Sequence, residues 1–259
     1  MSKAKGAAES YLCKLKHQID CLDRDEIDRA IDLIATAWQD GRQIITLGNG
    51  GSSMTALHFI TDWNKSVFLR GGQRLLGRSL VDNIGLMMAY ANDQSFEDIF
   101  VEQLKNVMNP KDLVIAISGS GNSENVIRAV DWANANGGIT LGLCGYSGGR
   151  LKQRAQYSVW VAVEDMQLSE DLHSIFGHIV MQCLCGELVG ELNPNRRMSL
   201  KEVRQRLNRN RIINQGWIGV LRFLCALILR LVFQVFLSKI ENGNSWCIHL
   251  FCRFIIRGT

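Results

Sequence analysis

Apolar and polar positions change period repeatedly along this chain, and each change marks a predicted element. Tyr11, Leu12, Leu15, Ile19 and Leu22 recur at helical spacing. Ile27, Ile31, Leu33, Ile34 and Trp38 do so again after Asp23-Arg24-Asp25, so residues 7–38 read as one or two helices. Their apolar stripe must be covered by something. Residues 43–47 read as a short strand, followed by a Gly/Ser turn over 48–53 and a helix over about 54–67. A strand over 76–80 follows, then a helix capped by Asp82-Asn83 and running through Ala91. Asn92-Asp93 interrupts it before a helix over 96–107, and Pro110-Lys111-Asp112 makes a turn. Residues 113–117 are five apolar positions with no alternation, the mark of a strand buried on both faces. Val126, Ile127, Val130 and Ala133 then return to helical spacing. Strands over 139–144 and 157–163 come next, with a short helix over 150–155 between them. A last helix follows Ser169, with Ile175, Phe176, Ile179, Val180, Cys183, Leu184 and Leu188 on its inner side, and Pro194 ends the domain.

Five strands alternating with helices argue for an α/β fold: a doubly wound, five-stranded parallel sheet flanked by helices. The predicted division is a domain over 1–195 that includes the N-terminal helices, and an atypical apolar and basic extension over 196–259. In such sheets a ligand sits at the carboxyl ends of the strands.

Charge sharpens this division. Residues 198–259 carry ten Lys/Arg and two acids, a net +8, which leaves −4 for residues 1–197. The body therefore has no nucleic-acid footprint, and only the tail is basic. The eight cysteines form no C-x-x-C pair, and Cys144, Cys183, Cys185 and Cys225 sit in apolar runs as free thiols do. With a polar first ten residues and no apolar leader, the expected compartment is the cytoplasm.

The chemistry concentrates where strands turn into helices. The central strand breaks into Ser118-Gly119-Ser120-Gly121-Asn122-Ser123, a hydroxyl-rich turn at a helix start. Unpaired N–H groups there favour an anion, and three hydroxyls add hydrogen bonds without charge, so a phosphate group is the expected occupant. A capping serine alone would need only one hydroxyl. Gly48-Asn49-Gly50-Gly51-Ser52-Ser53 is a second turn of this kind. It is neither a dinucleotide fingerprint, since position 53 is Ser, nor a P-loop. Two such turns on one sheet suit the two sides of one small phosphorylated ligand.

Four titratable residues are candidates for chemistry: His58, Asp62, Glu170 and His178. His58 and Asp62 share a helix face at i,i+4, as half a metal site or as a base with its orienter, or simply as a surface pair. His173 and His178 are five apart and so point about 140° away from each other on a helix. Glu170 and His178 lie eight apart, ~12 Å of rise on one continuous helix. They meet at one ion only if the helix starts after Glu170, or if they serve different copies of the site across a subunit boundary.

Gly48-Asn49-Gly50-Gly51-Ser52, then His58-Phe59, then the Ser-Gly-Ser-Gly-Asn-Ser run at 118–123, resemble the SIS (sugar isomerase) domain family, in its sedoheptulose-7-phosphate isomerase (phosphoheptose isomerase) branch. The likeness runs from about residue 8 to about residue 190. It implies a phosphosugar substrate, an aldose–ketose isomerisation that feeds heptose synthesis for cell-surface sugars, a zinc ion and a homotetramer. By the same resemblance His58, Asp62, Glu170 and His178 hold Zn²⁺, Asp62 is the catalytic base and His178 the proton donor. Substrate contacts are implied at Asn49, Gly50, Gly51, Ser52, Asn92, Asp93, Ser118, Gly119, Ser120 and Ser123.

Two positions depart from the branch, which has Glu where this chain has Asp62 and Gln where it has Glu170. The shorter base is withdrawn by about 1 Å, which can cost ~100-fold in rate. Glu170 adds a charge and makes a harder site. A basic residue that the branch often places just beyond the catalytic Glu is also absent; Lys65, one turn after Asp62, has reach toward a phosphate or hydroxyl instead. The branch also contains non-catalytic relatives that bind a replication initiator protein, and a sugar-phosphate sensor is a third reading. Residues 217–237 are long enough to span a bilayer, but Arg222 and Arg230 oppose a span. Those arginines and Gln234 leave a wide apolar face, as in a helix lying on a membrane surface with the basic run 201–211 beside it. The rival reading makes the tail a read-through or frameshifted end, with no part in the domain.

Overall fold

The computed structural model describes residues 6–69 and 73–186. The predicted extension over 196–259, with its amphipathic segment and basic run, lies outside the described residues. Helices α1 (Ala7–Cys21) and α2 (Arg24–Gln39) open the chain, with Asp23 capping α2 by accepting from the Asp25 and Glu26 N–H groups at 2.9 and 3.0 Å. The strands are β1 (Gln43–Gly48), β2 (Leu76–Ser79), β3 (Leu113–Ser118), β4 (Ile139–Cys144) and β5 (Tyr157–Trp160). All pairings are parallel, in the order β2-β1-β3-β4-β5. Every residue of β3 is buried, as an unalternating apolar run in mid-sheet requires.

Between the strands run α3 (Gly50–Leu69), α4 (Ile84–Asp93), α5 (Val101–Val107), α6 (Glu124–Ala135) and α7 (Gly149–Arg154), and α8 (Met166–Leu184) is the last described element. Helices α2, α3 and α8 pack together on one side, and α5, α6 and α7 on the other. From β1 the chain moves outward to β2, then returns to β3 on the other flank of β1. The connections after β1 and β3 therefore diverge to opposite faces and open a crevice between the two strand ends. In the register Gly48 pairs with Ile117, so the two Gly/Ser turns leave the sheet side by side. At the other end of these strands the buried Asp112 carboxylate accepts from the Gln43 N–H and side-chain amide and from the Asn109 N–H, locking the strand starts together.

Five predicted boundaries are corrected. Helix α8 begins at Met166, where the pattern places its start after Ser169. Helix α3 begins at Gly50, so Gly50 and Gly51 form its first turn and only Asn49 separates it from β1. Asn92 and Asp93 end α4 instead of interrupting it. The helix predicted over 96–107 is a 3-10 turn (Phe96–Asp98) followed by α5. A continuous helix would put Phe96 and Phe100 on one face, whereas Phe96 is 56% exposed and Phe100 is fully buried. Strand β5 stops at Trp160, three residues short of the prediction.

Candidate active site

The crevice is a cavity of about 240 Å³. Asn49, Gly50, Gly51 and Ser52 line one wall, and Ser118, Gly119, Ser120 and Ser123 the other. Ile117, Met166 and Glu170 complete it. Both turns predicted to hold a phosphosugar thus meet in one cleft. A Cβ on Gly51 would collide with the Glu170 carboxylate, so glycine there lets α8 come down on the start of α3.

The three serines are not equivalent. Ser118 Oγ accepts from the Gly121 N–H at 3.2 Å, and Ser120 Oγ accepts from the Asn122 N–H at 3.3 Å. Ser123 occupies the N-cap position of α6 without a side-chain bond to that helix, although Ser is among the strongest cap formers. Its hydroxyl, 3.4 Å from Ser118 Oγ, stays in the cleft wall. Glu170 is the one charged side chain among the lining residues, and no Lys or Arg joins it. Lys65 is exposed and lines no part of the cleft.

His58, Asp62 and His178 form a second cluster. Asp62 Oδ2 lies 3.2 Å from His58 Nε2 and 4.0 Å from His178 Nε2, and the two rings meet edge to face at 5.0 Å. One ligand atom from each residue falls within 4.8 Å of the others. Two imidazole nitrogens and a carboxylate oxygen are the donor set of an open, three-ligand metal site, so the residues fit a divalent ion of the zinc class. Packing of α3 against α8 creates the cluster, because His58 and Asp62 come from one helix and His178 from the other.

Glu170 does not join this group. Helix α8 is continuous from Met166, so Glu170 and His178 lie on one helix, ~12 Å apart in rise. The sequence alternative in which the helix starts after Glu170 is thereby removed. Asn92 and Asp93 also stand outside the cleft, where the Asn92 amide donates to the Asp93 carboxylate at 2.8 Å on an exposed surface.

Several residues carried no sign of a site role in the pattern. Met166 and Ile117 line the cleft. Tyr11 O–H donates to Asp171 Oδ2 at 2.7 Å, tying α1 to the first turns of α8. That bond, with the nearby carboxylate charge, pushes the phenol up to about 12. A larger cavity of about 440 Å³ lies at the β2 edge, but its amides serve the fold. Asn64 bonds both the N–H and the carbonyl of Gly77, and Gln103 donates to the Leu80 and Ile99 carbonyls.

A parallel sheet with its cleft at the β1/β3 switch, lined by two hydroxyl-rich helix starts, is an α/β domain suited to a small anionic ligand. The family model described as SIS domain matches residues 10–145. The chain is 36% identical over 160 residues to a phosphoheptose isomerase of Aquifex aeolicus (strain VF5), covering 62% of this chain and 81% of that protein. It is 32% identical over 160 residues to a phosphoheptose isomerase of Fusobacterium nucleatum, with the same two coverages of 62% and 81%. Among solved structures, a phosphoheptose isomerase from Francisella tularensis superposes with a TM-score of 0.66 at 21% identity, covering 72% of this chain and 100% of that one. GmhA from Neisseria gonorrhoeae gives 0.65 at 22% identity, covering 71% and 98%, and these two likenesses concern the fold. This chain belongs to the SIS domain family, in its phosphoheptose isomerase branch.

Proposed function

We propose that this protein is an aldose–ketose isomerase that converts sedoheptulose 7-phosphate to a heptose 7-phosphate by enediolate proton transfer. The observation that carries the reading is the pairing of two features in one chain: a two-turn cleft for a phosphosugar, and a carboxylate held between two imidazoles. The names of the curated relatives point to the same substrate.

The turn hydroxyls and helix-start N–H groups hold the sugar phosphate, which converts binding energy into positioning. Asp62 takes the proton from the carbon beside the carbonyl, and His178 returns one. His58, 3.2 Å from Asp62, orients the carboxylate. His58, Asp62 and His178 would hold a zinc ion, with Glu170 reaching a site only from another copy of the chain. When bound, zinc supplies Lewis-acid stabilisation of negative charge developing on oxygen.

A homotetramer belongs to the same reading. Helices α1 and α4 bury no residue in the single chain, and Leu12, Ile84 and Met88 are 58%, 71% and 65% exposed. Apolar helix faces of this kind are covered by partner surfaces. Among the described residues no disulfide joins the scattered cysteines, which supports a cytoplasmic setting. Among the described residues no helix is long and apolar enough to cross a membrane, and attachment of the tail to a membrane surface rests on the sequence pattern.

The test is turnover of sedoheptulose 7-phosphate by the full chain, with metal content measured on the same sample. Isomerisation with about one zinc per site is expected. A phosphosugar thermal shift without turnover would replace the isomerase reading with a sensor.

A further inference from the structure

Asn49 is the single residue between β1 and α3, which makes it the residue placed to cap α3. Asparagine is among the strongest N-caps, and its side chain ordinarily folds back onto the N–H groups of the first turn. Here it does not. Its Nδ2 donates to Asn125 Oδ1 at 2.8 Å, and its Oδ1 accepts from Asn125 Nδ2 at 3.0 Å. The reciprocal pair joins the two walls of the cleft across 76 residues of sequence.

The orientation of this pair is determined by the backbone. The Val126 N–H donates to Asn125 Oδ1 at 2.9 Å. A backbone N–H can only donate, so the Asn125 amide must turn its oxygen that way. Asn49 must then offer its nitrogen to that oxygen and its oxygen to the Asn125 nitrogen. Asn125 is 2% exposed and lines no part of the cavity, so it acts from behind the wall.

We propose that Asn125 is a positioning residue for phosphosugar binding: by holding the Asn49 amide, it keeps Asn49 from capping α3 and leaves the first N–H groups of α3 open to the ligand. The inference rests on the reading of this cleft as the phosphosugar site. Without Asn125, the Asn49 side chain swings back to its own helix and competes with the ligand for the same donors. The fold loses three hydrogen bonds and gains a cap, and the Val126 N–H keeps the Ser123 carbonyl as an acceptor at 3.1 Å, so affinity falls much further than stability.

The experiment is a double-mutant cycle on the full chain, reading the Kd of sedoheptulose 7-phosphate by calorimetry and the midpoint of thermal unfolding. Asn125→Ala should weaken binding by about tenfold or more while the midpoint moves by only a few degrees. In an Asn49→Ala background the same change should have almost no further effect, because the group through which it acts is gone. Additive losses in the cycle overturn the proposal, as does Asn125→Ala binding within about twofold of the parent. If Asn125→Ala does not fold, Asn125→Ser takes its place in the cycle, since its hydroxyl still accepts from the Val126 N–H but is too short to pair with Asn49. A parent that binds but does not turn over sinks the isomerase and leaves this inference standing on the binding data. A parent that binds no phosphosugar sinks both.

Discussion

His173 and His178 stand on the same helix and live in opposite surroundings. His173 is 1% exposed, and neither ring nitrogen has a hydrogen-bond partner of good geometry. Burial pushes its pKa down to about 4, with the Cys144 backbone pulling weakly the other way. His178 keeps 51% of its side chain exposed and faces Asp62 and His58. The intervening 140° of helix rotation separates a core face, with Leu168, Leu172, Phe176 and Val180, from the face that meets Asp62 and His58. The lesson is that residue type does not decide a histidine's surroundings. Packing of a second helix, which brings a carboxylate to within 4.0 Å of His178, does.

The strongest way to break this contrast is to remove that carboxylate. Asp62→Asn keeps the shape of the cluster and deletes the base, so kcat should fall by ~10²–10⁴ with a much smaller change in KM. Unchanged kcat would exclude Asp62 as the base.

The core face is broken by acid. Above about pH 6.5 both folded and unfolded chains carry a neutral His173, and the group costs nothing. As pH falls below that value the unfolded chain takes up a proton that the buried ring refuses. Stability therefore drops until about pH 4, where the folded ring titrates, by about 3 kcal/mol in all. His173→Leu should flatten the denaturation free energy across that window relative to the parent. If the two pH profiles run parallel, His173 is not the acid-sensitive group of the core.

The smallest expected effect sharpens the cleft side. Glu170 is the one charged group lining the cleft, beside the two turns proposed to hold the phosphate. Glu170→Gln should tighten phosphosugar binding by about 1 kcal/mol, roughly fivefold in Kd, in metal-free protein with chelator present. Weaker binding under those conditions would mean that Glu170 meets the sugar directly as a hydrogen-bond acceptor.

Much of the architecture was legible because it rests on local pattern. The unalternating run of 113–117 could only be a doubly buried strand, and the two Gly/Ser turns could only leave strands for helices. Errors came where burial overrode periodicity. The helix predicted over 96–107 looked continuous until Ile99 and Phe100 had to enter the core. The start of α3 was placed too late because Gly50 and Gly51 look like loop residues, yet they serve as a first helical turn that Glu170 can approach closely.

By itself, then, the sequence determined the α/β alternation, the two turns and the His58–Asp62 pair, since each depends on residues within a few positions of one another. Tertiary structure alone decided the rest. Packing of α3 on α8 brought His178 to Asp62 and left Glu170 in the wall of the Gly/Ser cleft, because one continuous helix cannot deliver both to one point. The β2-β1-β3 order put Asn49 against Asn125, a contact that no spacing along the chain announces. Such pairs depend on which strands are neighbours, and neighbourhood in a parallel sheet is set by crossover connections that spacing along the chain does not record.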